Sequence, residues 1–444
     1  MKNTNLPAFL ATFLCIIFSV HAAITLNAGV GFFGFFILLS YFCAIGIVWR
    51  NVKNPSKSAA GTAALIAAGC IALQYFLLLS ANPINGQFII GDSDSKLYHN
   101  IAETISINFK LFDQITSFSH VKEAADISGY IVPNFGMFWF LGVIYSVFGI
   151  ECGPGIYLLI NVVCAMVIAY FSVLIAGLYS NKGISKYTAT LFSLLIFMNF
   201  SISEHAFHLR KDFLLVALLM VSIYYGIMGR WILFLLFGFL TVQLRSIFLL
   251  VLIIPVFFLI IKNTSIIWKI SLKLILIFVI VSVVVLSNLP QSIYLLFGLI
   301  SNDNDLTTLS GLYGTANGSA ILVKNGLLQW VYIIFYPFPS LSAATYITTD
   351  GWISLSVFCI NFYLFFGIFK TQIQTSSNDN RYALLFSVLG VLFLLLLINL
   401  VTAAATGSFG VVEPRYKFAW WVFSGIVMMA YKSNKGYLKM RGNT

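Results

Sequence analysis

Charge is scarce in this sequence. Asp, Glu, Lys and Arg together make up 9% of its 444 residues, where a soluble domain carries about 25%. So few charges cannot cover a water-facing surface, which excludes the string of soluble domains that length alone would allow. Paired cysteines are lacking too. The six that occur (Cys15, Cys43, Cys70, Cys152, Cys164, Cys359) are scattered, and no Cys-x-x-Cys is present. Most read as small core residues, not as a disulfide framework or metal site. There is no Walker A loop, no Gly-x-Gly-x-x-Gly after a strand and no Gly-x-Ser-x-Gly elbow, so nucleotide-driven transport and serine hydrolysis have no support. No internal repeat is visible, and no segment is large enough for an independent soluble domain.

Apolar residues fill the space left by the charges. They make up 60% of the chain and run uncharged through Ala59–Ser80, Gly155–Tyr179 and Tyr382–Val401, where about 18 suffice for a spanning helix. The runs lack the alternation of barrel strands. The expected fold is an all-α polytopic membrane protein, residues 1–444 forming one integral-membrane domain of about twelve spans. Leu6–Ala22 also has the look of a signal peptide, but its only preceding charge is Lys2 and another apolar run follows at once.

The distribution of charge orients the spans. With the N-terminus cytoplasmic, spans fall near 6–26, 30–49, 59–80, 155–179, 187–203, 212–228, 231–246, 247–262, 268–288, 352–369, 382–402 and 418–431. Phe135–Phe148 reaches only about 21 Å at 1.5 Å per residue, short of the ~30 Å hydrocarbon core, and reads as a re-entrant or surface-lying helix. Residues 81–133 and 289–351 become two large outer segments, and 432–444 a cytoplasmic tail. Of the net charge of +11, this walk places +15 inside and −4 outside. Such a separation obeys the positive-inside rule and supports twelve spans with both termini cytoplasmic.

The unusual polar residues gather on the outer side. Asp92 and Asp94, in Gly91-Asp92-Ser93-Asp94, can share a proton, so one can act as a general base. The plainer reading of the same residues is a solvated turn capping a helix that begins near Lys96. In Ser203–Asp212, His205 and His208 can share a helical face, but a metal site is weakly supported. Arg210 and Lys211 there suit an anionic substrate or an internal partner, or simply snorkel to the interface. Arg245 interrupts two apolar stretches. Were these one tilted helix, a mid-membrane Arg would cost at least ~2.5 kcal/mol, so it is expected to face the protein interior or a cavity. Arg415, in Glu413-Pro414-Arg415-Tyr416-Lys417, can grip phosphate through two parallel hydrogen bonds. An interfacial turn held by Tyr416 and Lys417 is the bland alternative. Lys324 lies in the second outer segment, where the apolar piece Gly326–Phe335 is expected to help form a lid. Asp303 and Asp305 lack the remainder of a calcium loop. No metal or other cofactor is expected.

An acidic pair with several outer cations suits an anionic, amphipathic substrate such as a polyprenyl-diphosphate-linked sugar. Gly-Asp-Ser-Asp followed by Lys-Leu-Tyr-x-x-x-Ala (Lys96 to Ala102), then Pro133–Gly149, resembles the first-loop region of GT-C-type membrane glycosyltransferases. So does Glu-x-Arg-Tyr at Glu413, Arg415 and Tyr416. The acid pair of many GT-C sequences stands here as Asp-Ser-Asp. The resemblance implies Asp94 as base with Asp92 supporting, and a polyprenyl-phosphate-linked donor. The 43 phenylalanines and the lack of a soluble domain also resemble Wzy-type O-antigen repeat-unit polymerases, whose outer arginines hold the diphosphate. On this reading Arg210, Lys211, Arg245 and Arg415 bind phosphate, while Tyr98, His208, Lys324, Glu413 and Tyr416 position acceptor or donor. Partners would be lipid-linked sugars, the bilayer and polysaccharide-assembly proteins, with no nucleic acid. A lipid-linked oligosaccharide flippase is the competing class, although a flippase is expected to show two related halves.

Overall fold

The computed structural model describes residues 55–81, 93–116, 119–128, 135–178, 180, 183–245, 355–363 and 418–441. Among these residues the secondary structure is helical, with no strand. In chain order the helices are α1 (Pro55–Ala81), α2 (Ser93–Asn108), α3 (Leu111–Thr116), α4 (Ser119–Ile127), α5 (Gly136–Phe148), α6 (Gly153–Leu178), α7 (Lys186–Phe197), α8 (Phe200–Ser203), α9 (Asp212–Ile227), α10 (Trp231–Leu244), α11 (355–363) and α12 (Phe418–Arg441). A 3-10 turn, Glu204–Phe207, lies between α8 and α9. The chain divides into two compact units, Met1–Leu249 with Gly425–Thr444, and Leu250–Ser424. In the second, α11 buries Asn361 and pairs the rings of Phe358 and Phe362 at 6.1 Å.

Among the described residues two helices are long and apolar enough to cross a membrane, α1 over Ser56–Tyr75 and α6 over Gly153–Leu178. Twenty residues at 1.5 Å each give about 30 Å, the hydrocarbon thickness. α1 is lined with alanine from Ala59 to Ala72, all fully or nearly buried. Small side chains let backbones approach closely where helices meet, and α1 packs along both α6 and α7. Ser193 of α7 donates to the Ala63 carbonyl at 3.0 Å across that contact.

The helices α7, α9 and α10 have 12, 16 and 14 residues, shorter than the ~20 of a simple span. The expected span 187–203 is broken after Phe197. Asn199 is fully buried at the break. Gln74 of α1 donates to the Phe197 carbonyl at 2.5 Å, and Ser203 bonds Gln74 Oε1 and the Asn199 carbonyl. These bonds replace the helix ladder where it stops, and they give the Phe197 and Asn199 carbonyls partners at the break. α12 likewise departs from expectation, running on through the start of the expected tail to Arg441.

One end of this first unit gathers three segments from far apart in the chain. The Ile184 amide donates to Ser56 Oγ at 3.1 Å, and Ser433 Oγ donates to the Gly183 carbonyl at 2.7 Å. At the other end of α1, the Tyr75 and Phe207 rings meet at 6.2 Å. The expected spans over 6–26, 30–49, 247–262, 268–288 and 382–402, and the segment 289–351, lie outside the described residues.

Candidate functional site

The site is built around α5, whose 13 residues reach about 20 Å. α2 supplies the Asp94 side. Its buried positions Tyr98, Ile101, Ala102 and Ile105 recur at three- and four-residue spacing, the signature of a one-sided helix. That face lies on α5, where Gly142 lets Ile105 approach: a Cβ on Gly142 would stand 2.6 Å from Ile105 Cγ2. Asp94 sits half-buried in the first turn of α2, where a carboxylate is favoured by the helix dipole. One turn on, the Tyr98 ring packs on Phe138 of α5 at 4.9 Å.

Two neighbours of the same two turns of α5 lead to cations. Gly136 touches the backbone of Gln243, and a Cβ there would come within 2.8 Å of the Gln243 carbonyl. Arg245 follows two residues later, half-buried and extended, its amide bonded to the Thr241 carbonyl at 3.1 Å. α10 therefore ends at Leu244 and does not continue as one tilted helix through Arg245. On the other flank, Phe140 of α5 meets the ring of Tyr157 at 6.3 Å, and the Tyr157 hydroxyl donates to the Arg210 carbonyl at 2.7 Å. Tyr157 lies within electrostatic reach of both Tyr98 and Asp212.

The segment carrying Arg210 is pinned along its length. Asn161 Nδ2 donates to the Ala206 carbonyl at 3.0 Å and reaches the His208 carbonyl at 3.5 Å. The Arg210 guanidinium contacts Nδ1 of buried His205 at 2.6 Å. With Arg permanently charged, the guanidinium donates and that nitrogen accepts the hydrogen bond through its lone pair. His205 and His208 do not share the expected helical face. His205 lies in the 3-10 turn, His208 is extended, and Asp212 opens α9. Lys211 is half-buried just before it. Among the described residues no group of three His, Cys, Asp or Glu is arranged to hold a metal.

Of the residues singled out in the sequence, Tyr98 packs directly on the start of α5, and Asp94 lies one turn before it on α2. Arg245 follows two residues after the Gln243 that touches Gly136, and Arg210 is bonded to Tyr157 of α6, whose ring meets Phe140. Asp92, Lys324, Glu413, Arg415 and Tyr416 lie outside the described residues. Sequence reasoning passed over three positions. Gln74 and Asn161 are each the single amide in a long apolar helix, a signal that was available because an isolated amide there needs a partner. The third is His99, whose Nδ1 lies 2.8 Å from the Tyr145 hydroxyl and whose Nε2 lies 4.0 Å from Glu103. Burial lowers the His99 pKa, against the opposing pull of the Glu103 carboxylate. Burial also raises that of Tyr145, with the same carboxylate adding to it. Both shifts favour neutral partners. With the imidazole proton on Nε2, the tyrosine hydroxyl donates to Nδ1 and Nε2–H faces Glu103.

No family model, curated protein or solved structure matches the chain.

Proposed function

We propose that this is a bacterial inner-membrane glycosyltransferase of GT-C type. It transfers sugar from a polyprenyl-phosphate or -diphosphate carrier at the periplasmic face, during assembly of a cell-surface polysaccharide. The observation that supports the reading is that the first two turns of α5 contact Tyr98 of the Asp94-bearing helix, Tyr157, which bonds the Arg210 carbonyl, and Gln243, two residues before Arg245. A carboxylate accepts the proton of the acceptor hydroxyl as the new bond forms, while guanidinium groups hold the carrier phosphate. Asp92 and Arg415 would complete the two halves.

Twelve spans with residues 432–444 cytoplasmic remain the topology of this proposal. Two contacts support it. Ser56, Gly183–Ile184 and Ser433, which meet at one end, all come from segments that the charge tally assigns to the cytoplasm. The outward side of α10 supports a lipid setting: Ile232 is 83% exposed, and the helix carries no charged residue.

Asp94→Asn keeps size and most hydrogen bonding but cannot take a proton. It is expected to abolish product formation in isolated membranes at unchanged protein abundance, a loss of at least the 10²–10⁴-fold typical of general-base catalysis. Near-normal turnover in both Asp94→Asn and Asp92→Asn would remove the base from this turn and with it the GT-C reading. Gel analysis of lipopolysaccharide from a deletion strain separates the outcomes. An intact ladder with altered antigenicity marks a single-sugar transferase, and a single capped unit marks a repeat-unit polymerase. Lipid-linked units stalled on the cytoplasmic side would mark a flippase.

A further inference from the structure

The corner between α2 and α3 has its polarity inverted. α3 buries Gln114 completely and turns Phe112 and Ile115 outward, at 75% and 57% exposure. Ile107, in the last turn of α2, is 65% exposed. A surface helix in water shows the opposite order, polar out and apolar in. The interior of the corner is a closed set of hydrogen bonds. Gln114 Nε2 donates to the carbonyls of Ile105 and Phe109 at 3.3 and 2.8 Å, and contacts Ser146 Oγ of α5 at 2.7 Å. Trp139 Nε1 donates to the Gln114 carbonyl at 2.6 Å. Phe109 lies just past the end of α2, so its carbonyl is one that water would otherwise satisfy, while the Ile105 carbonyl also accepts from the Phe109 amide at 3.1 Å. Where water is absent, irregular backbone persists only if the protein supplies such bonds itself.

We infer that residues 107–116 form an interfacial anchor seated in the outer leaflet of the lipid bilayer. Placement in the fold identifies lipid as the occupant. Ser146, the α5 partner of Gln114, shortly precedes Gly153, where the membrane-length helix α6 begins. Its neighbour Val147 is also 52% exposed. The corner thus stands at the level of the α6 end, where a membrane boundary falls if α6 crosses. Lys110 and Asp113 are exposed on the same corner, which holds it at headgroup depth: a lysine stem lies along apolar surface with its ammonium in water, and a buried carboxylate would be costly. The anchor rests on the membrane part of the proposed function and is independent of the transferase chemistry.

The test uses the full chain in phosphatidylethanolamine–phosphatidylglycerol nanodiscs, with its six native cysteines replaced. Nitroxide labels are attached at positions 112, 115, 123 and 167, one at a time. Glu123 is an exposed residue of α4 and Val167 lies midway along α6. Collision with oxygen, which partitions into lipid, is compared with collision with a water-soluble nickel chelate. Oxygen is expected to exceed nickel severalfold at 112 and 115, as at 167, with the reverse at 123. Labels at 112 and 115 that favour nickel while 167 favours oxygen would overturn the anchor and leave the membrane reading standing. A label at 167 that favours nickel would overturn the membrane reading itself. Labels at 112 and 115 shielded from both reagents would mean that protein covers the corner, which also overturns the anchor.

Discussion

Arg210 and His99 show how much a single residue owes to what holds it. The Arg210 main chain is fixed by Tyr157 and its guanidinium is shared with His205. A lysine at 210 keeps the charge but presents a point donor in place of a planar fork. Arg210→Lys is therefore expected to lose much of the transfer activity in membranes, and Arg210→Ala nearly all of it. Full activity in both variants would take Arg210 out of phosphate binding. His99 makes a pH prediction of definite sign. Its folded pKa is lowered, chiefly by burial, so the unfolded chain binds the proton more readily. Its contribution to stability is complete above the ordinary histidine value of about 6.5. It is lost as pH falls through the lower folded value. Melting of the solubilised protein should drop on acidification below about pH 6, and His99→Gln should flatten that limb. An equal acid limb in the variant would assign it to another group.

Close approach dominates at the scale of elements. α5 is too short to cross, yet it meets α2 through Gly142, α10 through Gly136 and α6 through Phe140 and Tyr157. At Gly136 the neighbour is backbone, which cannot rotate away as a flexible side chain can. Gly136→Ala should cost about 1–3 kcal/mol by overpacking and displace the segment leading to Arg245. A lowered Tm in detergent together with reduced transfer would be the sign of it. An unchanged Tm would mean that α10 slides freely on α5. The break after Phe197 teaches the complementary lesson. The run 187–203 is apolar enough for one helix, but Gln74, distant in sequence, donates to the Phe197 carbonyl that a break exposes and accepts from Ser203 beyond it.

For the whole molecule, topology is the prediction on which the rest depends. Cysteine at position 94 should be labelled only from the periplasmic side, and cysteine at position 53 or 435 only from the cytoplasm. Cytoplasmic labelling of position 94 would sink the functional reading, because lipid-linked phosphate, acceptor and base must meet on one face. The contacts of Ser56 and Ser433 with the 183–184 turn fit this arrangement.

Local pattern alone pointed to helix, and the described residues are helical with no strand, because hydropathy and its period depend only on residue identity. It likewise located α1, α6 and the short α5, whose apolar runs end at turns or charges, and it picked out the Asp94–Tyr98 turn. It also marked Arg245 as an interruption, since a charge within an apolar run is visible without any fold. What tertiary structure decided was which distant residues share a place. That the segments carrying Asp94, Arg210 and Arg245 are linked to one short helix follows from contacts at Phe138, Tyr157 and Gln243, residues whose character is apolar or neutral and whose partners lie tens of residues away. The same holds for Gln114, which lies within the expected outer segment 81–133. It becomes the buried centre of a corner only because α5 brings Ser146 and Trp139 to it. Hydrogen bonds and close contacts between distant segments depend on the path of the whole chain, and local pattern carries no record of that path.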